Sequence, residues 1–433
     1  MKNILLSLSI ILLVITPSCE EYLEVDPSSS LLAEQAFTSK NDIVYGINGC
    51  YDAFQFSGYY GRTLININDL AADNAYNGGT ILEYGQVNNN NILEDNALIE
   101  GIWADIYTAI NRVNTIIDIL DDVEITPEEK AEFEAELRFL RALHYYNLST
   151  HFGEVPIKNQ PTKDLSNLSV SASSIEEIQS FMLEDLEFAM GKISNTDPVK
   201  ATNYAVETLR AKIYLYQSQW DSVFNITTRI INSDFYSLEE DYENLFISEG
   251  TPESIFEIDF NAQDKNRLAE YFYPNTLNGR YEMAPEQNLI EAYEPNDKRK
   301  SATIDDSGNN PYVKKYENLT DGSDNVYVFR FAEIYLMRAE ANAQRGTGTI
   351  NIKSDINKIR TRAGLSGVIG STTEDLLLAI EKERRLEFAF EGHRWRDLVR
   401  TGRAAAVLPN ISGPDQYYFP IPLSEKQTNN EIN

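Results

Sequence analysis

The residues of this chain that could do chemistry fall into a few groups. Near the C-terminus, Glu383, Glu387, Glu391 and His393 offer carboxylates and an imidazole for acid and base work. A glycoside-cleaving site needs two carboxylates facing across a cleft ~5–9.5 Å apart. Glu383 and Glu387 instead stand one helical turn apart and interleave with Arg384 and Arg385, which predicts intrahelical and interhelical ion pairing. Arg138 and Arg141, beside Tyr145 and Tyr146, could draw an anion; packing of the arginine stems between stacked helices is the simpler reading. His144, His151 and His393 are too scattered for a zinc constellation, and no H-E-x-x-H is present. No catalytic residue, metal or cofactor is expected.

The two cysteines differ in setting. Cys50 reads as a small core residue. Cys19 follows Met1-Lys2-Asn3, a mostly apolar run from Ile4 to Ile15, and Thr16-Pro17-Ser18. Twelve residues make about 18 Å of helix, too short for a hydrocarbon core of ~30 Å. The run has the shape of a secretory signal, and a small residue before a cysteine resembles a bacterial lipoprotein cleavage site. Residues 1–18 therefore read as a signal peptide. Residues 19–30 read as a linker lipidated at Cys19, with Glu20, Glu21, Glu24 and Asp26 behind it. Each buried CH₂ of an acyl chain contributes roughly 0.8 kcal/mol, so two or three chains anchor a protein firmly.

The elements that must position the remaining residues are helices. Hydrophobic content is 42%, ample for a core, and formal net charge is −30, which excludes a nucleic-acid partner. Phe133, Leu137, Leu140, His144 and Leu148 lie on one helix face. Similar spacing predicts helices over Trp103–Ile117, Ala205–Trp220, Phe331–Ala343 and Glu374–Glu391. Leu140-Arg141-Ala142-x-x-Tyr145 matches Leu209-Arg210-Ala211-x-x-Tyr214, an offset of about two 34-residue helix–turn–helix units. Met337-Arg338-Ala339 echoes it. The expected fold is mostly α, a tetratricopeptide-like helix-pair scaffold in one domain over residues 31–433. Long irregular loops, Phe56–Asn91 and Asn261–Asn325, are rich in Asn, Tyr and Asp; loops of such length usually carry function.

Taken together, several stretches resemble the SusD/RagB outer-membrane lipoproteins of Bacteroidetes. They are Cys19-x-x-x-Leu23-x-Val25-Asp26-Pro27, Ala72-Asp73-Asn74, Arg138–Tyr146 with Phe152-Gly153-x-Val155-Pro156, Phe331–Ala341, Ile359–Leu365, Glu383–Leu398 and Phe419-Pro420-Ile421-Pro422. The chain is short for that family, which implies trimmed ligand loops. The resemblance implies a lipid-anchored protein on the outer face of the outer membrane. It would sit as a lid on a SusC-like TonB-dependent transporter and deliver oligosaccharides to it; some relatives handle peptides. A lipid-anchored hydrolase is the remaining alternative. Aromatic rings cover sugar faces while Asn, Asp and Arg bind hydroxyls. The candidate ligand residues are Tyr59, Tyr60, Arg62, Asp69, Asp73, Tyr76, Asn77 and Tyr84 in the first loop. The second supplies Tyr271, Tyr273, Asn275, Arg280 and Tyr281.

Overall fold

The computed structural model describes residues 36–163 and 169–432, so the expected signal peptide and linker, with Cys19, lie outside the described residues. Several helices begin where Ser, Thr or Asn caps an apolar-periodic run, as at Ser39, Asn96, Thr126, Ser174, Thr202 and Thr372. In chain order the scaffold contains α1 (Lys40–Asp52), α2 (Thr63–Leu70), α3 (Leu82–Asn88), α4 (Ala97–Ile119), α5 (Pro127–Phe152), α6 (Ile175–Ala189), α7 (Asn203–Tyr216) and α8 (Trp220–Ile231). After a long excursion come α9 (Leu268–Phe272), α10 (Phe331–Gln344), α11 (Thr349–Arg362), α12 (Thr373–Glu387) and α13 (Arg394–Arg400). Capping boxes start α5 (Thr126 with Glu129), α6 (Ser174 with Glu177) and α12 (Thr372 with Asp375), and Pro127 pre-sets the first turn of α5.

Each of α4 to α7 packs on its successor, and α8 then packs on α10, α10 on α11 and α11 on α12. The stretch between α8 and α10 is thus an insertion between neighbouring helices of one stack, which is why the echo at Met337-Arg338-Ala339 falls out of step. The predicted boundaries need two corrections. Trp220 starts a new helix, because the chain turns at Gln217–Gln219 with Ser218 at φ +56°. The last long helix stops at Glu387; Phe390 (φ +64°) and Gly392 (φ +77°) turn the chain, so Glu391 is not on it.

The repeated Arg141 is buried. Its guanidinium grips Asp185 of α6 with two hydrogen bonds of 2.8 Å, while Arg138 reaches Glu134 of its own helix. Both are therefore interhelical or intrahelical structural groups, and Phe181 and Phe188 lie under their planes.

The predicted loops hold short strands. β1 (Ala75–Asn77) pairs antiparallel with β3 (Met283–Pro285), Tyr76 opposite Ala284. β2 (Ser254–Ile258) pairs with β6 (Val326–Arg330), and β4 (Ile304–Asp305) with β5 (Tyr312–Val313). A β-ladder satisfies backbone groups that an irregular loop would leave unpaired. The β1–β3 ladder also fixes the first loop against the second across about 200 residues of chain.

Candidate functional site

The site is built on that ladder. Beyond α9 the chain turns through Pro274–Leu277, passes Asn278 in the left-handed region (φ +67°) and returns. The Arg280, Tyr281 and Glu282 N–H groups donate to the carbonyls of Glu270, Tyr273 and Tyr271. Gly279 is required in this hairpin: a Cβ there would sit 2.0 Å from the Tyr273 carbonyl oxygen. The ladder lays Tyr76 beside Tyr281, hydroxyl to hydroxyl at 3.4 Å, and the Tyr281 hydroxyl donates to the Pro311 carbonyl at 2.9 Å. Tyr273 packs on Tyr312 of β5 with ring centres 4.8 Å apart. Tyr76, Tyr273, Tyr281 and Tyr312 are all partly exposed, and Asn275 stands exposed at the hairpin tip. Burial pushes the Tyr273 and Tyr281 hydroxyls above the usual phenol range, so they stay neutral donors. Asn77 is held by its backbone N–H on Asn88 Oδ1 at 2.7 Å.

Next to these rings lies Tyr271, buried, with three guanidiniums around it. Arg62, Arg280 and Arg267 stand 4.6, 4.9 and 5.4 Å from its ring centre. Arg62 Nη1 donates to the Tyr271 hydroxyl at 2.7 Å. Arg267 is spent on Glu270 in a two-point pair of 2.7 and 2.6 Å. That hydrogen bonding, with the nearby Arg280 and Arg62 charges, holds the Glu270 carboxyl below its usual range.

The structure brings together Arg62, Tyr76, Asn77, Tyr271, Tyr273, Asn275, Arg280 and Tyr281 from the expected set. Five expected residues need correction. Tyr59 and Tyr60 are core: their hydroxyls take the two N–H of Asn147 at 2.7 and 3.1 Å, and Phe54 packs on both rings. Tyr84 is fully buried against Tyr271. Asp69 is fully buried and accepts from Asn74 and from the Phe390 N–H; burial raises its carboxyl to about 6. Asp73 binds Arg394 through both oxygens at 2.6 and 3.0 Å. Burial opposes its ionisation, but the Arg394 hydrogen bond and the Arg394 and Arg385 charges win and hold it low. Ala72-Asp73-Asn74 is therefore a structural fastener. Tyr271 presents guanidiniums rather than its own face. Sequence reasoning missed Tyr312, Arg267 and Glu270; Tyr312 was legible only as one more tyrosine behind Pro311 in the same loop.

The carboxylate run near the C-terminus is consumed by a buried ionic network. Arg330 pairs with Glu253, Glu387 and Glu391 at 2.7, 2.5 and 2.7 Å. Arg299 takes Asp297 and Glu383, Arg360 takes Glu383 and Glu294, Arg362 takes Glu253 and Glu387, and Lys315 takes Glu391. The partners thus come from other elements: Arg384 instead binds Glu333 and Asp397, and Arg385 binds the Asp73–Asn74 turn. His393 stacks on Phe388 at 4.6 Å, and burial with neighbouring cations holds it neutral. Among the described residues no group of His, Cys, Asp or Glu is arranged to hold a metal ion, and no helix is long and apolar enough to cross a membrane.

Comparison with known proteins agrees with this architecture. A family described as "SusD family" matches residues 308–419, and one described as "Starch-binding associating with outer membrane" matches residues 21–215. The SusD-like protein P25 of Formosa agariphila is 27% identical, over 95% of this chain and 94% of its own. A SusD superfamily protein from Bacteroides vulgatus superposes with a TM-score of 0.84 at 23% identity, over 91% of this chain and 98% of that one. A laminarin-binding SusD-like protein superposes with a TM-score of 0.82 at 25% identity, over 92% and 99%. These matches indicate no enzyme family.

Proposed function

This chain belongs to the SusD/RagB family, and from that premise we propose that it is a surface glycan-binding lipoprotein. It captures oligosaccharides and passes them to a SusC-like TonB-dependent barrel in the outer membrane. The observation that carries the reading is the β1–β3 ladder, which gathers partly exposed Tyr76, Tyr273, Tyr281 and Tyr312 with Asn77 and Asn275 from two distant loops. A ring covering ~50 Å² of sugar contributes on the order of 1 kcal/mol. Two or three such rings with a few hydrogen bonds, less the cost of association, give a Kd of roughly millimolar to micromolar. A protein that must hand its ligand on needs that range.

The enzymatic alternative loses its candidate groups, because Glu383, Glu387 and Glu391 are buried and ion-paired. The lipid on Cys19 would tether this body to the membrane and keep it at high effective concentration near the barrel. Isothermal titration over a panel of plant, algal and microbial oligosaccharides tests the reading. Binding of at least one class, weakened by Tyr273→Ala, supports it; binding of none sinks it. Co-purification of the full-length protein with an outer-membrane barrel from detergent-solubilised cells tests the partner.

A further inference from the structure

Resting on that glycan-binding reading, we infer that the site selects an oligosaccharide carrying an isolated acidic group, a uronate carboxylate or a sulfate ester, and seats it on Arg280 and Arg62. Arg280 is exposed, and its two carboxylate neighbours, Glu270 and Glu282, each stand 3.7 Å away, beyond hydrogen bonding. These are long ion pairs, and among the described residues the Arg280 guanidinium, lying over the Tyr271 ring, donates no hydrogen bond. Arg62 is partly exposed and donates to the hydroxyls of Thr63 and Tyr271; among the described residues no carboxylate pairs with it. Of the acids that feel its charge, Asp105 accepts the Gly58 N–H at 2.8 Å and Glu270 is paired with Arg267. Arg267, neutralised by Glu270, completes the group around the Tyr271 ring.

Arg280, which donates no hydrogen bond, and the second N–H on each Arg62 Nη leave donors around one ring that suit a carboxylate or sulfate, which accepts paired N–H groups in plane. A neutral sugar accepts from the same donors but gains none of the strengthening that an ionised acceptor brings. The adjoining tyrosines Tyr273 and Tyr281 supply faces for the sugar that bears the group, since the Arg280 backbone is continuous with Tyr281. The rest of the chain sets the density of charge that can be accepted. At a formal net charge of −30 the body repels a dense polyanion, so the ligand carries its acidic groups sparsely among neutral residues.

The test uses matched ligands: a xylo-oligosaccharide bearing one glucuronic acid beside its carboxyl-reduced form, and a singly sulfated galacto-oligosaccharide beside its desulfated form. Titration of the lipid-free protein is expected to show the acidic member of one pair binding about tenfold tighter. The two pairs decide between carboxylate and sulfate. Arg280→Gln and Arg62→Gln should each narrow that ratio to about twofold, and raising salt should narrow it in the wild type. Tyr273→Ala should weaken both members of the pair alike. Equal affinity for acidic and neutral members, or a ratio unmoved in both arginine variants, overturns the inference while glycan binding stands. Binding of no glycan in either form overturns both.

Discussion

His144 and His151 allow the clearest quantitative prediction. Both are fully buried on α5 and both are held to about 3. Burial is the cause at His144; at His151 burial is joined by the Arg396 charge. His151 Nδ1–H donates to the Asn147 carbonyl at 2.7 Å, and its Nε2 accepts from Asn68 at 2.9 Å, so protonation would cost an accepted hydrogen bond as well as a buried charge. An unfolded histidine takes its proton near pH 6.5, whereas these two stay neutral in the fold. The unfolded state therefore binds more protons below that pH, and stability falls as pH falls. Between pH 7 and pH 5 each histidine removes about 2 kcal/mol by this linkage, or about 4 kcal/mol for the pair. Asp69, raised to about 6, titrates with the opposite sign and returns about 1 kcal/mol over the same window. Urea unfolding at pH 7 and pH 5 should thus show a net loss in the wild type. His151→Gln, which cannot titrate, should lose about 2 kcal/mol less over that interval, whatever its stability at pH 7. Parallel pH profiles for variant and wild type would refute the reasoning, because they would mean that His151 titrates in the fold as it does in the open chain.

Three further outcomes are expected. Arg330→Met leaves Glu253, Glu387 and Glu391 without their shared cation; it should cost about 3–5 kcal/mol in denaturant unfolding. Tyr59→Ala should cost about 3–5 kcal/mol of stability, as a core cavity does, whereas Tyr312→Ala should leave the melting temperature within a few degrees of wild type and weaken the best glycan by about fivefold in titration. Cys19→Ala should abolish labelling by a radioactive fatty acid, and retained labelling would remove the proposed anchor.

The helices were legible because their spacing repeats. Phe133 to Leu148 falls on one face whatever surrounds it, and the Leu-Arg-Ala-x-x-Tyr echo marks equivalent positions in the stack. The loop residues were legible as types but not as positions. Tyr59 and Tyr60 follow Phe54 in a tight turn, where no period tells which ring faces α5 and which faces out. Asp69 and Asp73 looked like hydroxyl-binding acids, yet their partners, the Phe390 N–H and Arg394, lie more than 300 residues away. The Glu and Arg of the C-terminal run were correctly read as ion-paired. Their actual partners, Arg299, Arg330, Arg360 and Arg362, come from elements that local spacing cannot see. The pairing of Ala75–Asn77 with Met283–Pro285 was equally hidden, since three-residue strands carry too few side chains to show alternation.

The Asp73–Arg394 clamp has company: the Phe419 N–H binds the His151 carbonyl, Leu423 N–H binds the Glu94 carbonyl, and Trp103 Nε1 reaches Glu425. The first helices are therefore closed by residues 394–425, which are synthesised long after them. Contacts of such long sequence separation form slowly, after the loop between them has been gathered in. A ribosome releases the N-terminal side first, so the early helices emerge with their seam open. The architecture itself delays locking of the early helices until residues 394–425 have been made and folded back onto them.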